Sequence, residues 1–422
     1  MSRLLGGIAG SALGFAALEE RLATAASAAP LPKLNGSLDE NFWKMVKNQF
    51  LLQSDRIYMN TSGLGPCPRG VIDTLIKSTL DLEEEGEHGH HLVYDVNRKA
   101  AAFLGCLPEE IAITRNTTEG MNIIARGLPL KKGDEVLMTT HEHPGGAVPW
   151  LGLANDIGLK IKLFEPGNSH QEMIDLVKQN ITKKTRVLSV CHIPCTVGFI
   201  YPVKALAEIC RDNNIFFVLD GAHPPGMIPF SLHDTGADFY AMSGHKWLLG
   251  PKGTGLLYIR KEMFEVWKPA QVGAYSEKKY EFENLIFQHK HEANATEYGT
   301  RNASLSLALG AAIDFIDTIG IEHVAARGKA MADYFLAELL KMPELVTVLT
   351  PLDENVRASV ITFKPKNMLY TDLQNKISEQ ANIRLRGINE HNLNAIRCSF
   401  HVFNNFEEVD KLVFTIKKIL SA

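Results

Sequence analysis

A lysine able to condense with a carbonyl and a carboxylate able to hold a ring nitrogen protonated stand 26 residues apart, at Lys246 and Asp220. Asp220 ends the apolar run Phe216-Phe217-Val218-Leu219. A carboxylate at the C-terminal end of a parallel strand faces the crevice where α/β proteins bind ligands. Taken alone it reads equally well as a turn residue or a helix N-cap. Lys246 lies in Ser243-Gly244-His245-Lys246-Trp247, followed by Gly250-Pro251-Lys252-Gly253. Schiff-base chemistry needs the neutral amine, and burial or cationic neighbours lower a lysine pKa to that end. Taken alone it reads as a solvated loop lysine. The pair is the informative unit. A single strand separates the two, which places both at one sheet edge. There an ionised aspartate would make a pyridine-type ring an electron sink for a carbanion.

A third element is Asn116-Thr117-Thr118-Glu119-Gly120, which follows Ile111-Ala112-Ile113 and opens a helix. Free backbone N–H groups, two hydroxyls and the positive helix end form a phosphate cradle. The plainer alternative is a cap with threonine as N-cap. Ser243 and His245 can add donors to the same phosphate.

These residues need a scaffold that lines up strand ends. Strands are predicted at 110–114, 135–140, 160–164, 186–192 and 215–220, with helices at 118–126, 148–157, 171–179 and 203–213 between them. Apolar strands alternating with helices predict βαβ units and a mostly parallel sheet. Two more strands, 239–242 and 255–259, flank the Gly/His/Lys-rich loop. The last hundred residues read as α+β, with long helices at 304–318 and 323–341 and strands near 360–363 and 396–400. The expected division is a leader-like segment at 1–30, a large domain at 31–310 and a small C-terminal domain at 311–422.

Asp220-Gly221-Ala222-His223, Ser243-Gly244-His245-Lys246 and Asn116-Thr117-Thr118-Glu119 resemble class V aminotransferases, which are pyridoxal-phosphate (PLP) enzymes of fold type I. The resemblance spans roughly residues 50–420. It implies an α/β fold with a mostly parallel seven-stranded sheet and a smaller α+β domain. It implies PLP as cofactor, a Schiff base on Lys246 and an amino-acid substrate whose α-proton Lys246 moves. Asp220 would pair with the pyridinium nitrogen and His143 would stack on the ring. Thr117, Thr118, Ser243 and His245 would hold the phosphate. His223 stands where relatives often carry glutamine near the ring hydroxyl. Glu297-Tyr298-Gly299-Thr300-Arg301-Asn302 resembles the segment that brings Thr300 to the phosphate of a neighbouring subunit, which implies a homodimer. Arg397 matches the arginine that clamps the substrate carboxylate, where a bidentate pair fixes orientation. Within the family the chain resembles isopenicillin N epimerase, so epimerase or aminotransferase chemistry is expected. A C–S lyase or desulfurase-like activity is the alternative. Desulfurases carry a persulfide-forming cysteine on the loop before that arginine, but 384–391 reads Arg-Leu-Arg-Gly-Ile-Asn-Glu-His. Cys398 should point away from Arg397 by strand alternation. Cys195 should lie close to the cofactor ring, as packing or ring contact.

Composition narrows the remaining classes. The 422 residues carry a formal charge of −4, which does not suit a nucleic-acid binder. Six cysteines without a CxxC pair predict buried thiols. Leu4–Ala17 with Ala26-Ser27-Ala28 resembles a signal peptide, too short for a membrane span, so export to the periplasm and a cytoplasmic location both stay open. No G-x-G-x-x-G opens the first βα turn, which argues against a dinucleotide-dependent dehydrogenase. A non-catalytic PLP-fold binding protein would not need Lys246, Asp220 and Arg397 together. Glu87-His88-Gly89-His90-His91 reads as a solvated loop, and no metal site is expected.

Overall fold

The computed structural model describes residue 31 and residues 38–422. The signal-like segment at 1–30 lies outside the described residues.

Seven strands form the main sheet: β1 (Ile111–Thr114), β2 (Glu135–Thr139), β3 (Lys160–Phe164), β4 (Thr185–Cys191), β5 (Phe216–Gly221), β6 (Phe239–Ser243) and β7 (Gly255–Ile259). Their spatial order is β1-β7-β6-β5-β4-β2-β3. Only β7 runs against its neighbours; the other pairings are parallel. This is the mostly parallel seven-stranded sheet that the apolar runs predict.

Strand alternation divides the sheet between two cores. Ile111, Ile113, Leu188, Val190, Phe217, Leu219, Tyr240 and Met242 face one side, covered by helices His90–Leu104, Val203–Asp212 and Ala303–Ile319. Ala112, Val136, Met138, Val187, Val218, Phe239 and Ala241 face the other, against Thr117–Gly127 and Pro144–Ile157. Burial on both faces explains why these strands read as unbroken apolar runs.

A smaller antiparallel sheet contains β8 (Val346–Val348), β9 (Val360–Pro365), β10 (Arg386–Ile388) and β11 (Ala395–Ser399), in the order β8-β9-β11-β10. Its core takes Ile361, Phe363, Ile396, Cys398 and Phe400 together with Phe335, Ile377 and Ile416. Ile57 and Met59 join that core, and Ile57–Tyr58 pairs in parallel with Ile383–Arg384. Phe42, Val46 and Phe50 join the first core, so the N-terminal arm ties the two cores together.

Helix Ala303–Ile319 still belongs to the large core through Leu309, Ile313, Ile316 and Ile319. The chain bends by 76° between this helix and Ile321–Leu340. Gly320 adopts φ +85° at the bend, which glycine does without steric cost. Val324 faces the first core, whereas Met331, Phe335 and Leu339 face the second. The change of core thus falls beyond residue 310, because an all-round apolar helix packs wherever cover is needed.

Candidate active site

Thr139, Cys191 and Ser243 are the last residues of β2, β4 and β6, and Asp220 is the last but one of β5. They form a row along the C-terminal edge of the sheet. Asp220 is buried and stands opposite Cys191 in register. Its Oδ1 accepts the Ala222 N–H at 3.0 Å. Gly146 gives it room, since a Cβ there would lie 2.8 Å from Oδ2. Burial raises the Asp220 pKa, and the Lys246 charge opposes that rise.

Lys246 sits in a turn held from three sides. The Gly65 N–H donates to the His245 carbonyl at 2.8 Å, the Leu249 N–H to the Lys246 carbonyl at 3.1 Å, and the Gly250 N–H to the Gly244 carbonyl at 2.8 Å. A Cβ on Gly65 would stand 1.9 Å from the Lys246 carbonyl oxygen. Leu249 accepts a left-handed φ of +62° to close this turn. Burial lowers the Lys246 pKa, while Asp220 pulls it back up. A lysine in that condition is easier to bring to its neutral, nucleophilic form.

His143 is the N-cap of helix Pro144–Ile157 and accepts the Gly145 N–H at 3.0 Å. Burial lowers its pKa to about 4, helped by the charges of Lys246, Arg386 and Arg397. His223 is buried, with Nε2 3.2 Å from the Ser62 carbonyl and Nδ1 without a partner. Since a carbonyl only accepts, Nε2 carries the proton and Nδ1 is a free acceptor. Burial, followed by Lys246 and Arg397, keeps this ring neutral.

Thr117 Oγ1 and Ser243 Oγ lie 2.7 Å apart, which joins the start of helix Thr117–Gly127 to the end of β6. The N-cap is Asn116, which accepts the Glu119 N–H at 2.9 Å. The threonine-cap alternative therefore does not hold, and both threonine hydroxyls are spared for other partners. Thr118 is exposed, beside the Gly145 turn, where a Cβ would lie 2.5 Å from its Oγ1. His245 is half-buried with Nδ1 3.3 Å from the Thr254 carbonyl. Thr300 is exposed. Its neighbours Glu297 and Arg301 instead bind the backbone of Ile113.

Arg397 lies on β11 and is fully buried. Nη1 donates to the Cys195 carbonyl at 2.9 Å and Nη2 to Asn60 Oδ1 at 3.2 Å, while Nε has no partner. Burial lowers its pKa to about 10. A buried guanidinium whose bonds go to neutral oxygens is costly to maintain, and an entering carboxylate would relieve that cost. Arg386 faces Arg397 in register on β10, and its Nη2 bridges Glu390 at 2.5 Å. Cys398 points into the core of the small sheet, as alternation predicts.

Glu142, Cys191, Asn60, Arg386 and Glu390 border this group without having been singled out as site residues. Glu142 had a signal, as a lone carboxylate between His141 and His143 ahead of a helix start. Asn60 had none, because it meets Arg397 across 337 residues of chain.

A lysine, a buried carboxylate, a hydroxyl pair at a helix start, a free imidazole nitrogen and an unpaired guanidinium suit a phosphorylated pyridine aldehyde carrying an amino acid. The comparisons agree. The model of the family "Aminotransferase class-V" matches residues 77–412. A probable cysteine desulfurase of Pyrococcus abyssi is 27% identical over 396 residues, covering 89% of this chain and 97% of that protein. The isopenicillin N epimerase of Amycolatopsis lactamdurans is 26% identical over 392 residues, covering 89% and 98%. Two structures of the cystine C–S lyase C-DES share this fold at 24% identity. One, with glycine linked to its PLP cofactor, has a TM-score of 0.81 and covers 88% of this chain and 98% of that one. The other, with its product cysteine persulfide, has a TM-score of 0.79 and covers 86% and 97%. Desulfurase names recur among the relatives and favour the alternative expectation over the epimerase likeness. The chain belongs to the class V aminotransferase family of PLP-dependent enzymes.

Proposed function

We propose that this enzyme is a C–S lyase acting on a β-thio-substituted α-amino acid, with the sulfur leaving in a small molecule and not on a protein cysteine. The carrying observation is what occupies the loop before Arg397. Residues 386–394 contain no cysteine, and the ion pair of Arg386 with Glu390 stands there instead. A sulfur acceptor must be a thiolate. Cys191 and Cys195, whose charges would act on Lys246, are both buried, and burial pushes both pKa values up. The desulfurase names of the relatives support cleavage at the C–S bond of a cysteine-type substrate.

When bound, PLP withdraws electrons from the substrate's α-carbon. Lys246 Nζ holds the cofactor and takes the α-proton, for which its lowered pKa suits it. Asp220 would pair with the ring nitrogen and keep it protonated. His143 would stack on the ring, and His223 Nδ1 would accept from the ring hydroxyl. Thr117, Thr118, Ser243 and His245 would hold the phosphate, with Thr300 of a second copy added to that cradle. Arg397 orients the substrate carboxylate. Loss of the α-proton and of the β-thiolate, followed by hydrolysis, yields pyruvate, ammonia and the released sulfur compound.

The test is incubation of the holoenzyme in heavy water with cysteine, cystine and alanine. Pyruvate from the two sulfur substrates, with every protein cysteine unmodified by alkylation mass spectrometry, is the expected result. A persulfide on Cys191 or Cys195 would make it a desulfurase. Deuterium at the α-carbon with inverted configuration and no pyruvate would make it an epimerase. Lys246→Ala should abolish turnover and the borohydride-fixed cofactor link.

A further inference from the structure

We propose that His141 is a positioning residue that acts through Thr196 on the loop holding Arg397, and so sets the aim of the guanidinium that receives the substrate carboxylate. This rests on the carboxylate role of Arg397 given above, and it holds whichever α-carbon reaction follows.

The loop covers residues 192–201 and leaves the end of β4. Its base is closed by the Tyr201 N–H, which donates to the His192 carbonyl at 3.0 Å. The His192 N–H donates to the Asp220 carbonyl at 2.9 Å, which ties that base to β5. At the tip the Gly198 N–H donates to the Pro194 carbonyl at 3.1 Å, with Gly198 at φ +71°. A Cβ on Gly198 would lie 2.9 Å from Val360 Cβ, so the tip presses on β9 of the small sheet.

Two side chains grip the tip, one from each sheet. Arg397, on β11, donates from Nη1 to the Cys195 carbonyl at 2.9 Å. His141, two residues beyond the end of β2, has Nδ1 2.8 Å from Thr196 Oγ1. Both His141 and Thr196 are buried, so breaking their bond leaves a polar group unpaired. The peptide joining Cys195 to Thr196 is planar. A turn of Thr196 therefore turns the Cys195 carbonyl with it.

The imidazole is itself aimed from the surface. Its Nε2 lies 3.1 Å from Oε1 of Glu165, which directly follows β3 and whose side chain is 70% exposed. Thr140 Oγ1 donates to the same carboxylate. A carboxylate only accepts, so Nε2 carries the ring proton. In the neutral ring Nδ1 is then the acceptor of the Thr196 hydroxyl. The contacts run from Glu165 through His141 and Thr196 to the Cys195 carbonyl and Arg397. Hydrogen bonds weaken steeply as their angle closes. A Cys195 carbonyl released on the Thr196 side would hold Arg397 less well, and the guanidinium would meet a carboxylate in more than one orientation.

The test measures the ligand concentration that half-saturates the absorbance change of the holoenzyme, for an amino acid and for its amide. Thr196→Val keeps the shape of the side chain and removes the hydroxyl. The acid should bind about tenfold more weakly, the worth of one buried hydrogen bond, and the amide as in the wild type. Thr196→Ser should restore the acid. Equal loss for acid and amide, or no rescue by serine, would mean that the contact serves packing alone and overturns the proposal. On the Arg397→Lys background, Thr196→Val should weaken acid binding no further, because both act through one guanidinium; losses that multiply count against it. If Arg397→Lys itself leaves acid binding intact, the carboxylate role of Arg397 fails and the proposal falls with it. Intact acid binding in Thr196→Val alone sinks only the role of His141. Should Thr196→Val fail to fold, the exposed Glu165→Ala decides. It should weaken the acid about threefold and leave the amide unchanged, and unaltered acid binding refutes the positioning.

Discussion

Nη1 of Arg397 donates to the carbonyl oxygen of Cys195 at 2.9 Å, joining β11 of the small sheet to the loop that leaves β4 of the large one. With the bond from Nη2 to Asn60, it brings a buried guanidinium of one sheet to the C-terminal edge of the other.

Arg397→Lys should cost amino-acid binding and spare cofactor binding. A lysine ammonium cannot span both oxygens and still present a planar fork to a carboxylate. The amino-acid concentration that half-saturates the holoenzyme absorbance change should rise about 100-fold, equivalent to roughly 3 kcal/mol. An amino-acid amide, which lacks the carboxylate, should be bound equally by both proteins. Equal loss for acid and amide would show that Arg397 serves packing alone.

The contact of Thr117 with Ser243 predicts a cofactor phenotype. Ser243→Ala removes one hydroxyl from the helix start and leaves the other unpaired. Equilibrium dialysis should give PLP affinity weakened about tenfold, the worth of one hydrogen bond to a charged group at roughly 1.5 kcal/mol. The urea midpoint of the apo protein should move little. Unchanged PLP affinity would remove Ser243 from the phosphate site.

Two glycines should respond oppositely to alanine. At Gly65 the new Cβ meets the Lys246 carbonyl oxygen at 1.9 Å, and both partners are backbone. Gly65→Ala should destabilise the protein by about 3 kcal/mol, since neither segment can yield cheaply. Gly152, inside helix Pro144–Ile157, has nothing within 4 Å of such a Cβ. There alanine should stabilise by about 0.5–1 kcal/mol through helix propensity. Urea unfolding of the two variants decides, and equal effects would contradict the packing described.

Acid should weaken the fold through buried histidines. His401 is buried, with Nε2 2.9 Å from the Trp247 carbonyl and Nδ1 accepting the Val402 N–H at 2.7 Å. Burial lowers its pKa to about 4, from an ordinary value near 6.5. Below pH 6.5 the unfolded chain takes up a proton that the folded chain refuses, so stability falls as pH drops toward 4. The slope is about 1.4 kcal/mol per pH unit for one such group. His401→Gln should make the wild-type loss between pH 6.5 and 5 shallower by about 2 kcal/mol. The same pH dependence in both proteins would mean that His401 is not the titrating group.

Much of the fold was legible because its strands are buried on both faces. Runs such as 216–219 and 111–113 are apolar at every position, and a sheet covered by helices on both faces accommodates them. Lys246, Asp220 and the Asn116-Thr117-Thr118 turn were legible for a related reason. Each sits where a strand ends, and a strand end is a local event. Helix Ala303–Ile319 is apolar enough to suit either core, so its composition alone does not say which one it joins.

The sequence by itself determined the row of strand ends, the chemistry of the residues placed there and the want of a cysteine before Arg397. Tertiary structure alone decided which groups meet across distant segments. Asn60 and Cys195 come to Arg397, Ser62 comes to His223, and Glu142 comes through Cys191 to Asp220. It also decided that the cap of helix Thr117–Gly127 falls to Asn116 and leaves Thr117 to Ser243. The physical reason is that spacing along a chain reports on the two periodic structures it can form. The burial and neighbouring charge that set the proton affinities of Lys246 and Asp220 exist only once those segments are packed together.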